Sequence, residues 1–259
     1  MDSVDQVRIG SSSVARDLTL ADLRAALAAG WGDFRAHPWF GLFFAGIYVV
    51  AGLVLYFTLF QRGQIAWLVP AAAGFPLLAP FIAVGLYEVS RRREAGLPSS
   101  WGAILGALRG RGDDQLLMMG GFVFLGFTFW IGVAHGIFAI FLSEAGTGIG
   151  SIDFLFSGAG MAMLLVGGVA GALMALLFYA ITVMSLPMMV DREVDFLTAI
   201  FMSVTAVRAN PVVLIAWAVF MAVSLFAAML PYFLGLLVVL PVLAHATWHL
   251  YRRTVRADA

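Results

Sequence analysis

Six apolar stretches, each long enough to form a bilayer-crossing helix, constrain this chain more than any other feature. A helix needs about 20 predominantly apolar residues to cross the hydrocarbon core of a membrane. The sequence meets this requirement near residues 39–60, 66–90, 116–141, 161–186, 212–229 and 232–251. It therefore predicts an all-α membrane protein built as a six-span transmembrane helix bundle.

The composition supports the same class and excludes several others. Of the 259 residues, 62% are hydrophobic and 12% are charged, whereas soluble domains carry about 25% charged residues. The absence of cysteine excludes disulfides, iron–sulfur clusters and cysteine nucleophiles. The 15 basic residues balance 15 acidic ones, so the net charge predicts no nucleic-acid partner.

The arginines predict the orientation of the spans. With six spans, both termini and the connections 91–115 and 187–211 share one side, which holds every arginine except Arg62. Because basic residues accumulate on the cytoplasmic side, we expect a multi-pass protein with both termini in the cytoplasm. Residues 1–18 then form a polar N-terminal segment, residues 19–253 the transmembrane domain, and residues 254–259 a short tail.

Amphipathic segments precede the three outgoing spans and predict helices that lie in the cytoplasmic interface. They begin at Thr19, at Ser99 or Ser100, and at Asp195. In the first, a spacing of three and four places Asp33 on the polar side. Its predicted apolar face comprises Leu20, Leu23, Leu27, Trp31 and Phe34.

Each of these segments is followed by an outgoing and a returning span. The chain is therefore interpreted as three hairpin repeats that start near residues 19, 99 and 195. The alternative is that any hairpin protein with basic residues inside places amphipathic segments at these points.

Four separated segments are distinctive. They are GWGDF (30–34), APFIAVGLYE (79–88) with SRR (90–92), PMMVDR (187–192) with VD (194–195), and HATWH (245–249) with YR (251–252). In this order they resemble the DUF2189 family of bacterial integral membrane proteins, from about Thr19 to Arg253. The resemblance implies architecture and a bacterial inner membrane, but no chemistry, since the family has no assigned activity.

His245 and His249 lie four residues apart in the last predicted span, so both imidazoles share one helix face, beside Trp248. Two such histidines can ligate a divalent metal such as zinc or copper, or one can hold haem iron axially. The structural alternative is that both hydrogen-bond to neighbouring helices or lipid headgroups. No cofactor is predicted, and a haem or metal site at these histidines is kept as an alternative.

Two charged clusters, together with Trp248, are the other candidates for an interaction or a phosphate. Glu88 precedes Arg91 and Arg92 by one helical turn, which is typical of a paired carboxylate at a helix end. Asp191 and Arg192 belong to a mixed-charge run in which Arg192 offers a contact for a partner or a phosphate. The alternative for this run is a solvated turn before the next helix.

Small residues recur every four positions in two predicted spans. Gly132 and Gly136 lie in the third span, and Gly167 and Gly171 lie in the fourth. Such faces allow helix backbones to approach closely. The pattern predicts that spans three and four pack against each other, with oligomerisation or docking onto a larger complex as the alternative.

The chemistry-bearing motifs of common enzymes are missing. No phosphate-binding loop, serine-nucleophile elbow or HExxH motif occurs, and no charged residue lies near the middle of a predicted span, where ion-coupled carriers need one. We therefore expect a non-enzymatic accessory, assembly or interaction protein of a larger membrane complex, such as a respiratory one, or a homo-oligomer. The alternatives are a carrier or lipid-handling protein for a neutral or amphipathic solute, and a haem- or metal-binding protein.

Overall fold

The computed structural model describes residues 6–9, 12–63, 68, 83–107, 114–142 and 152–257, which are mostly helical. The helices are α1 (Leu20–Ala36), α2 (Pro38–Gln61), α3 (83–94), α4 (Trp101–Gly106), α5 (Gln115–Leu142), α6 (Ile152–Leu155), α7 (Gly158–Thr182), α8 (Ser185–Asp191), α9 (Phe196–Ala209), α10 (Pro211–Met229) and α11 (Leu236–Thr254). Strands β1 (Gln6–Ile9), β2 (Ser12–Ala15) and β3 (Val255–Ala257) form one antiparallel sheet in the order β1-β2-β3.

Four stretches of the described chain are long and apolar enough to cross a membrane: Pro38–Gln61, Gln115–Phe141, Gly158–Asp191 and Pro211–Met229. They match four of the six predicted spans and confirm a helical membrane protein. Predicted span 66–90 lies mostly outside the described residues, whereas predicted span 232–251 corresponds to α11. The second half of α11 is rich in polar side chains, so this helix is not among the four. The six spans and the hairpin repeats stay predictions.

The predicted starts of the amphipathic helices are confirmed. The Thr19 hydroxyl accepts the backbone N–H of Asp22, and the Asp22 carboxylate in turn accepts the backbone N–H of Thr19, which makes a capping box. Ser100 caps α4 and Asp195 caps α9 in the same manner. A single residue separates the end of α1 and of α9 from the proline that opens the next helix. At the first position of a helix the proline is tolerated, because the N–H that it lacks would have no intrahelical partner.

The buried side of α1 differs from the predicted one. Its buried residues are Leu23, Ala26, Gly30, Asp33 and Phe34, whereas Trp31 is 44% exposed and Leu20 is 56% exposed. The placement of Asp33 on a solvated side is therefore wrong. The physical reason is that α1 packs along α11, where polar groups on α11 and α3 form hydrogen bonds with the Asp33 carboxylate.

A glycine makes the close packing of α1 on α11 possible. A Cβ atom at Gly30 would lie 2.5 Å from the backbone nitrogen of Ala246 and 2.8 Å from the carbonyl oxygen of Val242. Backbone atoms cannot move aside as a flexible side chain can, so any larger residue would separate the two helices. Gly30 thereby brings Asp33, one turn further along α1, within reach of α11.

The apolar stretch after residue 158 breaks between α7 and α8. Pro187 lies in the first turn of α8, where its missing N–H costs no helical hydrogen bond. At the break, the Ser203 hydroxyl of α9 accepts the N–H of Met184 at 3.1 Å and donates to the carbonyl of Ala180 at 2.7 Å. This inserted hydroxyl satisfies the two backbone groups that an unbroken helix would join, and it fixes α9 against α7.

Both ends of the described chain lie side by side. Strand β2 pairs with β3 in antiparallel register, so that Val14 faces Val255. The Asn210 amide, at the end of α9, donates to the carbonyl of Ala15 at 2.7 Å and accepts the N–H of Leu18 at 3.2 Å. The segments predicted as a polar N-terminal stretch and a short tail therefore contain paired strands, at residues 6–9, 12–15 and 255–257.

Helices α5 and α7 pack against each other, and two of the four predicted glycines lie between them. A Cβ atom at Gly171 would meet the Trp130 ring at 3.0 Å, and one at Gly167 would meet Ile137 at 3.9 Å. Within the described part of the chain, a Cβ atom at Gly132 or Gly136 would meet no atom within 4 Å. Those two glycines therefore lie on a part of α5 that α7 does not cover.

Candidate functional site

Four segments of the chain meet at one end of the helix bundle and form a network of charged and polar side chains. They are α1, α3, α8 and α11. Each of the four distinctive sequence segments contributes to it. The network falls into three groups, centred on Asp33, on Glu94 with Asp191, and on Glu88.

The first group surrounds Asp33, whose side chain is 2% exposed. One carboxylate oxygen lies 2.8 Å from Nε2 of His249 in α11, and the other accepts a hydrogen bond from the Arg93 guanidinium of α3. A carboxylate buried to this degree needs such partners, because removing an isolated charge from water is costly. Asp33 therefore joins α1 to α3 and α11.

Ser90 and His245 extend this group into the bundle interior. The Ser90 hydroxyl lies 2.7 Å from Nδ1 of His245, and both residues are buried. Ser90 also hydrogen-bonds to Asp33. Nε2 of His245 is buried and has no hydrogen-bond partner among the described residues.

The pKa of Asp33 reflects two opposing influences. Burial alone would raise it, but the hydrogen bonds from His249, Ser90 and Arg93 outweigh burial and hold the pKa well below its ordinary value of 3.8. Asp33 is therefore a stable anion over the physiological pH range. The arrangement is suited to holding helices together and is unsuited to a general acid, which must carry a proton near neutral pH.

The second group links α11 to α3 and α8. The Trp248 indole donates to Glu94 at 3.0 Å, and Arg252 bridges Glu94 at 3.1 Å and Asp191 at 3.0 Å. The Tyr251 hydroxyl donates to Asp191 at 2.9 Å. Trp248 and Asp191, both predicted as site residues, thus belong to one hydrogen-bonded set. Arg192 lies beside it, 3.4 Å from Asp191.

The third group is formed within α3. Arg91 binds Glu88 through two hydrogen bonds of 2.7 Å, and Arg92 contacts the same carboxylate at 3.3 Å. Arg92 also donates to the carbonyl of Pro98 at 2.8 Å. Since the Glu88 side chain is 6% exposed, it holds both guanidinium groups in fixed positions. The predicted pairing of Glu88 with Arg91 and Arg92 is therefore present.

His245 and His249 have different partners, Ser90 and Asp33 respectively. Within the described part of the chain, no group of three or more histidine, aspartate or glutamate side chains is arranged to hold a metal ion. The haem or metal site at these two histidines stays a prediction.

Sequence reasoning missed six members of the network, although all six lie in or next to the distinctive segments: Asp33, Ser90, Arg93, Glu94, Tyr251 and Arg252. A signal was present for Asp33, because it is a single acidic residue beside two glycines in GWGDF. Its partners are up to 216 positions away in the sequence, so no local pattern connects them.

An apolar cavity of about 380 Å³ lies between α3, α7, α10 and α11. Six alanines contribute to its wall: Ala83, Ala172, Ala175, Ala218, Ala222 and Ala244. Ile215 and Val219, which line it on α10, are 41% and 57% exposed, so the cavity opens to the side of the bundle.

The segment from α3 to α8 supplies residues to both the network and the cavity wall. The comparison with known families concerns the same segment. Residues 68–191 match the DUF2189 family model. The family is described as a predicted integral membrane protein, and the resemblance inferred from the sequence is thereby confirmed. The DUF2189 match includes the motifs at 79–92 and 187–191, whereas GWGDF and HATWH lie outside it. No curated protein and no solved structure matches the chain.

Replacing Asp33 by asparagine tests the network. We expect Asp33→Asn to lower the free energy of unfolding by roughly 1.5 to 3 kcal/mol, because hydrogen bonds to a charged group are lost in a buried position. Tryptophan fluorescence during heating in mild detergent measures the change. The control is Asp195→Asn, which should unfold like the wild type because asparagine caps a helix as well as aspartate.

The stability difference between wild type and Asp33→Asn should depend on pH in a defined direction. Because the folded-state pKa of Asp33 lies below 3.8, its contribution is complete above that pH and is lost as the pH falls toward the folded-state pKa. The difference in free energy of unfolding between wild type and Asp33→Asn should therefore become smaller in acid. A difference that is absent at neutral pH, or that grows in acid, would contradict the role of Asp33 as a buried, paired anion.

Proposed function

We propose that this protein is a membrane-embedded, non-enzymatic binding protein that holds the hydrocarbon part of a neutral or amphipathic molecule. The apolar cavity between α3, α7, α10 and α11 carries the proposal. Its volume of about 380 Å³ falls within the roughly 300–1,000 Å³ of ligand pockets in proteins. Of the functions considered from the sequence, lipid handling is the one that this cavity favours.

The polar atoms at the cavity wall support an apolar occupant. The hydroxyl groups of Thr182, Thr247 and Tyr179 each donate to a backbone carbonyl, at distances of 2.7 to 2.8 Å. Their protons are therefore already used within the protein. A sugar or an ion would lose its hydration and find no free proton on these three hydroxyl groups, whereas an alkyl or isoprenoid chain loses nothing polar.

The position of the opening supports entry from the membrane. Ala222 lines the cavity on α10, next to the exposed Val219, and α10 is one of the four apolar stretches long enough to span a bilayer. A molecule dissolved in the bilayer can therefore reach the cavity from the side without crossing water.

Filling the cavity tests this function. The probe is a monoacylglycerol with a photoreactive diazirine in its acyl chain, added to the purified protein in an uncharged detergent. We expect the wild type to be labelled on cavity-lining peptides, and Ala222→Phe to reduce that labelling to near background because the ring occupies the opening.

The matched control is Ala227→Phe, on the same helix but away from the cavity wall. It should leave labelling unchanged. Equal labelling of the two variants, or labelling of the wild type only on peptides outside the cavity, would overturn the proposal.

We further propose that the chain spans a bacterial inner membrane six times with both termini in the cytoplasm. The pairing of β2 with β3 supports an even number of crossings, because it places residues 12–14 beside residues 255–257. The clustering of arginines at that end supports the cytoplasmic side.

Reporter fusions test this topology. Green fluorescent protein, which becomes fluorescent in the cytoplasm but not after Sec export, should fluoresce when fused to either terminus. Alkaline phosphatase, which is active only after export, should be active when inserted after Gly63. Phosphatase activity at either terminus would contradict the topology.

A second candidate function is that of an accessory protein of a larger membrane complex. The face of α5 that bears Gly132 and Gly136 favours it, because side chains there would meet no atom of the described residues within 4 Å, and small residues of this spacing allow a further helix to approach.

Gly136→Leu tests this candidate. If another transmembrane helix docks there, the variant complex isolated from native membranes in mild detergent should lack its partner subunits. The control is Gly121→Leu, also on α5, where a Cβ atom likewise would meet no described atom within 4 Å; it should retain them. Migration of the wild type as a lone chain on a native gel would count against this candidate.

A further inference from the structure

A second cleft, separate from the apolar cavity, lies between α3, α4 and α8. Its volume is about 210 Å³, and Glu88, Arg91 and Arg92 supply its charged wall. The facing wall is made by Ala103 and Gly106 of α4, and Met189 of α8 lies beside it. Charged groups on one side and small side chains on the other leave room for a compact polar ligand.

The two arginines retain hydrogen-bond donors that the protein does not use. Arg91 contacts Glu88 through Nε and Nη2, and Arg92 uses Nε on Pro98 and Nη1 on Glu88. Nη1 of Arg91 and Nη2 of Arg92 make no hydrogen bond with any residue that the structure describes. The two arginine side chains are 16% and 18% exposed, so a ligand in the cleft can reach these donors.

The charge of the cleft favours an anion. One carboxylate, Glu88, faces two guanidinium groups, so the three side chains together carry one positive charge. Glu88 also fixes both arginines in place before any ligand arrives, which lowers the entropic cost of binding. A pre-positioned pair of guanidinium groups suits an oxyanion with several acceptor oxygens, and arginine is well matched to phosphate.

We propose that this cleft binds a phosphate group, presented either by the headgroup of an anionic lipid or by a free phosphate. The site does not depend on the apolar cavity or on the function proposed for it. Nη1 of Arg91 and Nη2 of Arg92 donate to the phosphate oxygens, while Glu88 holds the two arginines and Gly106 leaves the space that the ligand fills.

The glycine in the wall provides a steric test that leaves the charges intact. A Cβ atom at Gly106 would meet no atom of the residues that the structure describes within 4 Å, so the longer side chain of Gly106→Met can extend into the cleft. Gly102, on the same helix, also has open space around it but does not line the cleft. Gly102→Met is therefore the matched control, and Arg92→Gln removes one of the donors.

The experiment uses the purified full chain in an uncharged maltoside detergent, which contains no phosphate. Native mass spectrometry measures bound phosphatidic acid, and the melting temperature measures stabilisation by inorganic phosphate against chloride of equal ionic strength. We expect Arg92→Gln to weaken binding by at least about tenfold, as expected for the loss of one charge-assisted hydrogen bond. Gly106→Met should weaken binding at least as strongly, because its side chain fills the space of the ligand. Gly102→Met should bind like the wild type.

The two arms distinguish the sources of the phosphate. Retention of phosphatidic acid without stabilisation by inorganic phosphate supports a lipid headgroup, and displacement of the lipid by inorganic phosphate supports a free phosphate. Binding of neither ligand by the wild type, or equal binding by Gly106→Met and Gly102→Met, overturns the proposal.

Discussion

The structure depends on one buried carboxylate. Asp33 contacts Arg93 and His249 and hydrogen-bonds to Ser90, so a single side chain fixes the positions of α1, α3 and α11 relative to one another. Removing a charge from water is expensive, and the cost is recovered only when every partner is in place. A displaced α1 would leave the anion unpaired, and the network therefore selects one register among the many in which apolar helices pack almost equally well.

The second and third groups extend the same principle around the end of the bundle. Arg252 bridges α3 and α8 through Glu94 and Asp191, and Glu88 fixes two neighbouring arginines within α3. Between helices that face lipid, apolar contacts do not discriminate strongly between alternatives, since lipid tails are as apolar as the side chains they would replace. Polar pairing at the arginine-rich end supplies that discrimination and leaves the rest of the bundle free to form a cavity.

Local features were predictable from the sequence because their causes are local. Thr19 and Asp195 were predicted as helix starts, and Ser100 was one of two candidates beside Ser99. Four apolar stretches were recognised as candidate spans, since capping and hydropathy depend on neighbouring residues. Asp33 was misplaced because the spacing of large apolar residues pointed to a face that includes Trp31, whereas the true buried face follows the small residues that touch α11. The hydroxyl of Ser203 inserted at the α7–α8 break, and the pairing of β2 with β3, arise from contacts between distant parts of the chain and leave no local pattern.

The separation between Asp33 and His249 has a consequence for biosynthesis. A chain leaves the ribosome from its N-terminus, so α1 is made long before α11, and contacts of long sequence separation form late. Until α11 emerges, Asp33 has Arg93 and Ser90 as partners but lacks His249, and Gly30 has no helix to approach. Strand β2 likewise lacks its partner until β3 has been synthesised. Helix α11 thus completes the packing of α1 although it is synthesised much later, and a chain interrupted before α11 leaves Asp33 without His249 and the Gly30 side of α1 uncovered.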